Sequence, residues 1–351
     1  MNEAVFMSIP KQNDIYKQLV SEITGGQLGD AGEIFPTVRS LSESFGASPV
    51  TIQKVIHRLR SAGLIVRNGR GMKIAHSNKK ELCRIGIIVP QLDNPFYSRL
   101  LNEFEREGTK RGIDILSAGG AEDPERSRHI LQVFAKNKAE GICICASSFD
   151  TNLLSIDIPV IGIGNRSLLQ NFPVVEVDNI RAGEIAAEHL ISQGCRDFFY
   201  VSHTHITQDD RMLGFSRALA RRGFHLPQSH ILSENENMQS DELVNFFQNN
   251  LSTFPAGVFC YHDLWAMRVL RATHFLSLKV PDDIAVVGFD NLPICTETLP
   301  PLSSIAYPFR KLAEGALDIL NEIRSGKDVG LRRTLLEPQL VIRQSSLIRK
   351  G

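Results

Sequence analysis

From residue 84 onward, short apolar runs alternate with helical patterns, and this alternation restricts the fold more than any other feature of the chain. Strand candidates are 84–89, 113–117, 141–146, 160–163, 174–177, 198–201, 257–261 and 284–287. Helical patterns such as 95–111, 179–193 and 211–222 stand between them. Runs that are apolar throughout, rather than alternately apolar and polar, suit strands buried on both faces. Strand–helix alternation then implies parallel sheets covered by helices on both sides. With 351 residues the chain exceeds what one compact core holds, so more than one domain is expected.

The part before residue 84 reads differently. Asp14 can cap a first helix whose Ile15, Leu19, Val20 and Ile23 share a face, and a glycine-rich run at 24–32 breaks it. A second helix follows Pro36, with Val38 and Leu41 inward and Arg39 outward. Ser48 is a helix N-cap, and Pro49 occupies the first helical position, where its missing N–H costs nothing. In the third helix Ile52, Val55, Ile56 and Leu59 form one face, with Val50, Lys54 and His57 opposite. Gly63 ends that helix. The strand-like Leu64-Ile65-Val66 then leads to Asn68-Gly69, the strongest short hairpin signal, flanked by Arg67 and Arg70. Helix, turn, helix and basic-tipped hairpin make a winged helix-turn-helix.

Charge supports a nucleic-acid partner for this part. The whole chain balances at 39 basic and 39 acidic side chains, yet residues 39–80 hold nine Lys/Arg against one acid, Glu43. Such asymmetry points to an anionic partner. The third helix suits the major groove of double-stranded DNA, and a glycine-tipped wing with Arg70 suits the minor groove. The alternative is a helical dimerisation module with solvated charges, although a solvated face would carry mixed signs. The candidate DNA-contacting set is Thr37, Arg39, Ser48, Pro49, Thr51, Lys54, Arg67, Gly69 and Arg70.

Residues 14–75 also resemble the DNA-binding domain of the GntR family of bacterial regulators. The resemblance rests on Tyr16 and Leu19, on Phe35-Pro36-Thr37-Val38-Arg39, on Ser48, Thr51 and Ile52, and on Gly63-Leu64-Ile65 with Gly69-Arg70-Gly71. It implies that Arg39 and Thr51 touch bases or phosphates and that Gly69 enters the minor groove. Pro49 stands where the family usually has arginine, and Met72 where its wing usually has threonine. The resemblance therefore implies DNA binding without implying a target sequence.

In the larger part, polar and aromatic groups gather beyond the strand ends, where ligands bind in open parallel sheets. They are Asn94, Phe96 and Tyr97; Ser147; Asn165; Thr207 and Arg211; His262; and Asp290. Aromatic faces with carboxylate, guanidinium and amide groups suit a small polyhydroxylated ligand. The plainer alternatives are a surface ion pair of Arg211 with Asp209 or Glu184, and a turn-capping role for Asp290. Trp265 could reach the same region or pack within its helix.

This region, about 83–345, resembles the effector domain of the LacI/GalR family, itself related to periplasmic sugar-binding proteins. The matching pieces are residues 85–90 and 94–97, 177–179 with Ala182-Gly183, 211–215, 280–291 and 340–346. The resemblance implies an α/β two-lobed periplasmic-binding-protein-like (type I) domain with parallel sheets, three crossings between lobes, and effector in the cleft. Arg211 and Asp290 would be its foremost contacts. His262 departs from the asparagine common at its position.

The expected organisation is multi-domain. A winged helix-turn-helix occupies 1–75, a linker 76–83 and an effector-binding and dimerisation domain 84–351. Lobe one takes about 84–178 and 305–330, and lobe two about 179–304. The expected function is a transcription regulator, a repressor by analogy, acting as a homodimer on a palindromic operator under control of a sugar or related metabolite. Neither a cofactor nor a metal is expected: the cysteines lack zinc spacing, sit in apolar runs and read as buried thiols, and His203 with His205 lacks a third ligand. The alternative is an enzymatic or small-molecule-binding α/β domain with an accessory nucleic-acid module. Against it, there is no phosphate loop, Gly-x-Ser-x-Gly or His-Glu-x-x-His, and Gly162-Ile163-Gly164 lacks the third glycine of a dinucleotide fingerprint. No signal-peptide pattern and no apolar run near 18 residues is found, so the expected location is the cytoplasm, without membrane contact.

Overall fold

A computed structural model of the chain describes residues 12–24, 27–29, 32–69, 71–75, 84–146, 149–154, 158–164, 171–203, 209–234 and 240–348. The chain divides into two compact units, Met1–Glu81 and Leu82–Gly351. The expected linker, 76–83, lies outside the described residues.

The first unit has helices α1 (Gln12–Thr24), α2 (Val38–Phe45) and α3 (Pro49–Ser61), then strands β1 (Ile65–Asn68) and β2 (Gly71–Ile74). α1 begins two residues before Asp14, which lies in the first turn rather than at the cap; an acid there still favours the helix dipole. Each later boundary has a local cause. Thr37 caps α2 by accepting the Ser40 N–H at 3.2 Å, and Gly46 ends it in the left-handed conformation. Ser48 caps α3 by accepting the Thr51 N–H at 3.2 Å, ahead of Pro49. Antiparallel pairing of Ile65 with Ile74 and Asn68 with Gly71 makes a two-residue hairpin. Its first turn residue, Gly69, has φ +57°, which glycine adopts without strain. Ile15, Leu19, Phe35, Leu41, Ile52, Val55, Leu59, Ile65 and Ile74 fuse these elements into one core.

The second unit contains two six-stranded sheets. The first holds β3 (Arg84–Val89), β4 (Asp114–Gly119), β5 (Gly141–Ile144), β6 (Val160–Ile163) and β7 (Val174–Val177). The second holds β8 (Asp197–His203), β9 (Ile231–Glu234), β10 (Ala256–Cys260), β11 (Ile284–Asp290) and β12 (Ser303–Ala306). Strand β13 (Arg333–Leu336) joins the first sheet and β14 (Gln339–Val341) the second. The orders are β13-β7-β6-β5-β3-β4 and β14-β12-β11-β10-β8-β9; all neighbours run parallel except β14 with β12. Helices cover both faces, so central strands bury both sides: Ile85, Ile87 and Val89 enter one core and Ile88 another.

The chain passes between lobes near 178, near 307–308 and near 337–338. Residues 305 and 306, expected to open the return to lobe one, instead end β12, a strand of the second sheet paired with β11. The return consists of helix α10 (Phe309–Arg324), packed on helix α4 (Pro95–Arg111), and then β13. Lobe one therefore takes 308–336 rather than 305–330, and β14 carries the chain back to lobe two.

Candidate functional site

Residues from both lobes surround one cavity of about 160 Å³. Lobe one contributes Asn94, Phe96 and Tyr97 at the start of α4, together with Cys145, Ala146 and Gly164 beyond β5 and β6. Lobe two contributes Arg211, Tyr261, His262 and Asp290, and Tyr307 lies at the second passage between lobes. Six of the nine residues selected from sequence thus meet here. The other three, Ser147, Asn165 and Thr207, lie outside the described residues. Cys145, Tyr261 and Tyr307 are not among the nine: Cys145 and Tyr261 lie within the apolar strand runs 141–146 and 257–261, and Tyr307 lies in no run that the sequence marks.

Arg211 is the most constrained group in the cavity. It opens helix α7 (Asp210–Arg221), which crosses helix α6 (Asn179–Ser192) at two glycines. A Cβ on Gly183 would lie 2.0 Å from the Arg211 carbonyl oxygen, and one on Gly214 would lie 1.9 Å from that of Ile180. The backbones touch, which brings Asn179 to the guanidinium: Nε donates to Asn179 Oδ1 at 2.8 Å. Nη1 donates to the Tyr261 carbonyl. The guanidinium carbon stands 3.5 Å from the Phe289 ring centre and 4.2 Å from that of Tyr261. Asp209 is not its side-chain partner. That carboxylate caps α7 through the N–H groups of Arg211 and Met212 and accepts from Tyr200 Oη and Ser202 Oγ. Glu184 binds Arg181 and Arg221 instead.

Asp290 ends β11 with φ +108°, and Asn291 follows at +51°. Two successive side-chain-bearing residues in this region carry strain, so the turn needs external support. Asp263 provides much of it, accepting the Leu292 N–H at 2.7 Å and the Ser304 Oγ–H at 2.6 Å. Ser304 Oγ accepts the Asn291 N–H at 2.9 Å, and Arg343 donates to Asn291 Oδ1 at 2.8 Å. Arg99, from α4 in lobe one, donates to the Asn291 carbonyl. Burial raises the Asp263 carboxyl to about 6, while the Ser304 and Leu292 hydrogen bonds oppose the rise. Burial, with Asp263 nearby, also pushes Asp290 well above the ordinary carboxylate range, against the pull of Arg211 and Arg99. Burial pushes the Cys145 thiol up to about 12, so it faces the cavity as a neutral group.

His262 caps helix α9 (Asp263–Phe275), its Nδ1 accepting the Trp265 N–H at 3.2 Å. Trp265 itself is buried in the second lobe's core. Asn94 similarly caps α4 through its Oδ1. Among the described residues, no group of three or more His, Cys, Asp or Glu side chains is placed to hold a metal ion.

On the N-terminal unit, Arg39 is 90% exposed and, among the described residues, paired only with Glu43, at 3.1 Å. Exposed pairs of this kind contribute little and exchange readily. Pro49, Lys54, Arg67 and Gly69 are also exposed. Thr37, Ser48 and Thr51 serve the helix starts, Ser48 Oγ and Thr51 Oγ1 sharing a hydrogen bond at 2.9 Å. Arg70 lies outside the described residues. Arg58, one of the nine basic residues of 39–80, turns back onto α1, 4.0 Å above the Tyr16 ring and donating to Asn13 Oδ1 at 3.2 Å.

Comparison with known proteins accords with this division. Residues 11–74 match the family of bacterial regulatory proteins called the gntR family, and residues 187–346 match the periplasmic binding protein-like domain. The chain is 25% identical over 333 residues to the HTH-type transcriptional regulator DegA of Bacillus subtilis, covering 88% of this chain and 98% of that protein. It is 26% identical over 330 residues to the HTH-type transcriptional repressor PurR of Photobacterium profundum, with the same coverage. In fold it is similar to a periplasmic binding protein/LacI transcriptional regulator from Alkaliphilus metalliredigens solved with D-xylulofuranose. That likeness has a TM-score of 0.65 at 23% identity and covers 75% of this chain and 99% of the other. Among the described residues, no helix is long and apolar enough to cross a membrane. The chain joins a gntR-family helix-turn-helix domain to a periplasmic-binding-protein-like domain, and is a DNA-binding transcription regulator.

Proposed function

We propose that the chain is a cytoplasmic repressor whose operator affinity is set by a small polar effector, a sugar or related metabolite, bound between Arg211 and Asp290. The observation that carries this reading is the convergence of Asn94, Phe96 and Tyr97 from one lobe with Arg211, His262 and Asp290 from the other around one cavity. Rings supply faces for a sugar's C–H surface, while guanidinium and carboxyl groups match its hydroxyls. A ligand touching both lobes favours the arrangement in which both reach it. To control DNA binding it must bind two states of the protein unequally, since equal affinity shifts nothing. A homodimer on a palindromic operator completes the reading, because two half-sites multiply the specificity of one helix.

The test is a thermal-shift screen of sugars and related metabolites against the full chain, followed by DNA binding with and without each hit. A binder at about 100 times its Kd adds roughly 2.7 kcal/mol of apparent stability. Arg211→Lys keeps the charge but loses the planar fork and its stacking, so it should abolish the shift. Steady turnover of a hit, or hits that leave DNA affinity unchanged, would overturn the reading.

A further inference from the structure

The leading turn of α3 presents apolar surface toward solvent. Val50 is 61% exposed, although a β-branched side chain gains by burial. It lies across α3 from Ile52, Val55, Ile56 and Leu59 and takes no part in the domain core. Lys54 and His57 follow it at helical spacing on the same exposed side. Pro49, just before it, is exposed and has no N–H to donate.

Several polar groups nearby are already engaged. Ser48 and Thr51 bond each other, and Arg58 is held over Tyr16. What the first turn offers a DNA groove is therefore the Pro49 ring and the Val50 methyls, surrounded by positive charge. In the major groove, the apolar feature of a base edge is the C5-methyl of thymine; the rest of the code is hydrogen-bond donors and acceptors.

We propose that Val50 is a specificity-determining residue that reads a thymine C5-methyl in the DNA contacted by α3. The surrounding basic residues hold the phosphates and carry no sequence information. Val50 contributes selection at one base pair by burying its methyls against that of thymine. A single buried methyl group, at about 0.8 kcal/mol, corresponds to roughly fourfold in affinity.

The experiment uses the full chain and duplexes enriched from a random pool. In an enriched duplex, each thymine is replaced in turn by uracil, which removes only the C5-methyl. Wild-type protein should lose about fourfold in affinity at one position and little elsewhere. Val50→Ala should bind the thymine duplex more weakly and no longer distinguish uracil from thymine there. Because Val50 is exposed, the melting temperature of that variant should match wild type. Uniform tolerance of uracil, or discrimination that persists in Val50→Ala, would overturn the proposal. Failure to enrich any sequence would overturn it along with sequence-specific binding. A methyl effect abolished only by changing Lys54 or His57 would reassign the contact.

Discussion

Asn179 Oδ1 accepts the Arg211 Nε–H at 2.8 Å across the point where α6 and α7 touch backbone to backbone. The distance follows from two glycines rather than from the polar pair itself. Gly183 and Gly214 let the helices approach until any side chain would strike the other helix's carbonyl oxygen. A fixed guanidinium can then lie against Phe289 and present its remaining edge to the cavity.

Gly214→Ala should separate α6 from α7. Its Cβ would begin 1.9 Å from the Ile180 oxygen, and backbone on both sides has little room to yield. Overpacking of this kind costs about 1–3 kcal/mol, which urea unfolding of the second unit would read. Gly315→Ala is the control. It lies within α10, its Cβ would meet Val175 at an ordinary 3.5 Å, and alanine gains up to about 1 kcal/mol in helix propensity. Equal effects of the two changes would show that helix contact at Gly214 is not the constraint.

Much of this arrangement was legible in sequence, for physical reasons that also explain what was not. Strands such as β3 and β11 are apolar throughout because both faces are buried, and they stand out. β13 (Arg-Thr-Leu-Leu) and β14 (Gln-Leu-Val) are short, partly exposed strands at the sheet edges, so they resemble loops. That ambiguity, with the four-residue β12, displaced the expected lobe boundary. Asp290 could be chosen because a carboxylate at a strand end is conspicuous. Tyr307 could not, because its place at a passage between lobes depends on a strand that was not recognised. Arg58 counted toward the basic face by charge alone, and only three-dimensional packing shows it turned onto Tyr16.

Stability should carry a pH signature from Asp263. Its folded carboxyl titrates near 6 against an ordinary 3.8, so between those values the folded state holds more proton than the unfolded. Stability from this group therefore falls as pH rises from about 4 to about 6 and is level above. Asp263→Asn removes the titration. Relative to wild type, the variant should gain stability across that window, on the order of 3 kcal/mol. Thermal unfolding of both proteins from pH 4 to pH 8 checks this, and a constant difference would show that Asp263 ionises freely.

Arg39→Ala should weaken DNA binding while leaving the melting temperature nearly unchanged. The side chain is 90% exposed and its ion pair with Glu43 is a surface pair, so the fold loses little. If Arg39 meets a phosphate, its removal should lower the dependence of log affinity on log salt by about 0.9. The measurement is a salt titration on a duplex enriched from a random pool. An unchanged slope would place Arg39 away from the backbone.

Arg58→Ala should behave in the opposite way, although both arginines belong to the same basic stretch. The Arg58 guanidinium covers the Tyr16 ring at 4.0 Å and donates to Asn13, joining α3 to α1. Cation–π contacts at such partly exposed sites contribute about 0.5–1 kcal/mol. Losing this one should loosen α1, seen as faster amide exchange at Leu19 and Ile23, which pack in the core beneath. Because the charge is directed toward Tyr16 rather than outward, the salt slope of DNA binding should stay within experimental error of wild type. A reduced slope with unaltered exchange would instead place Arg58 among the phosphate contacts.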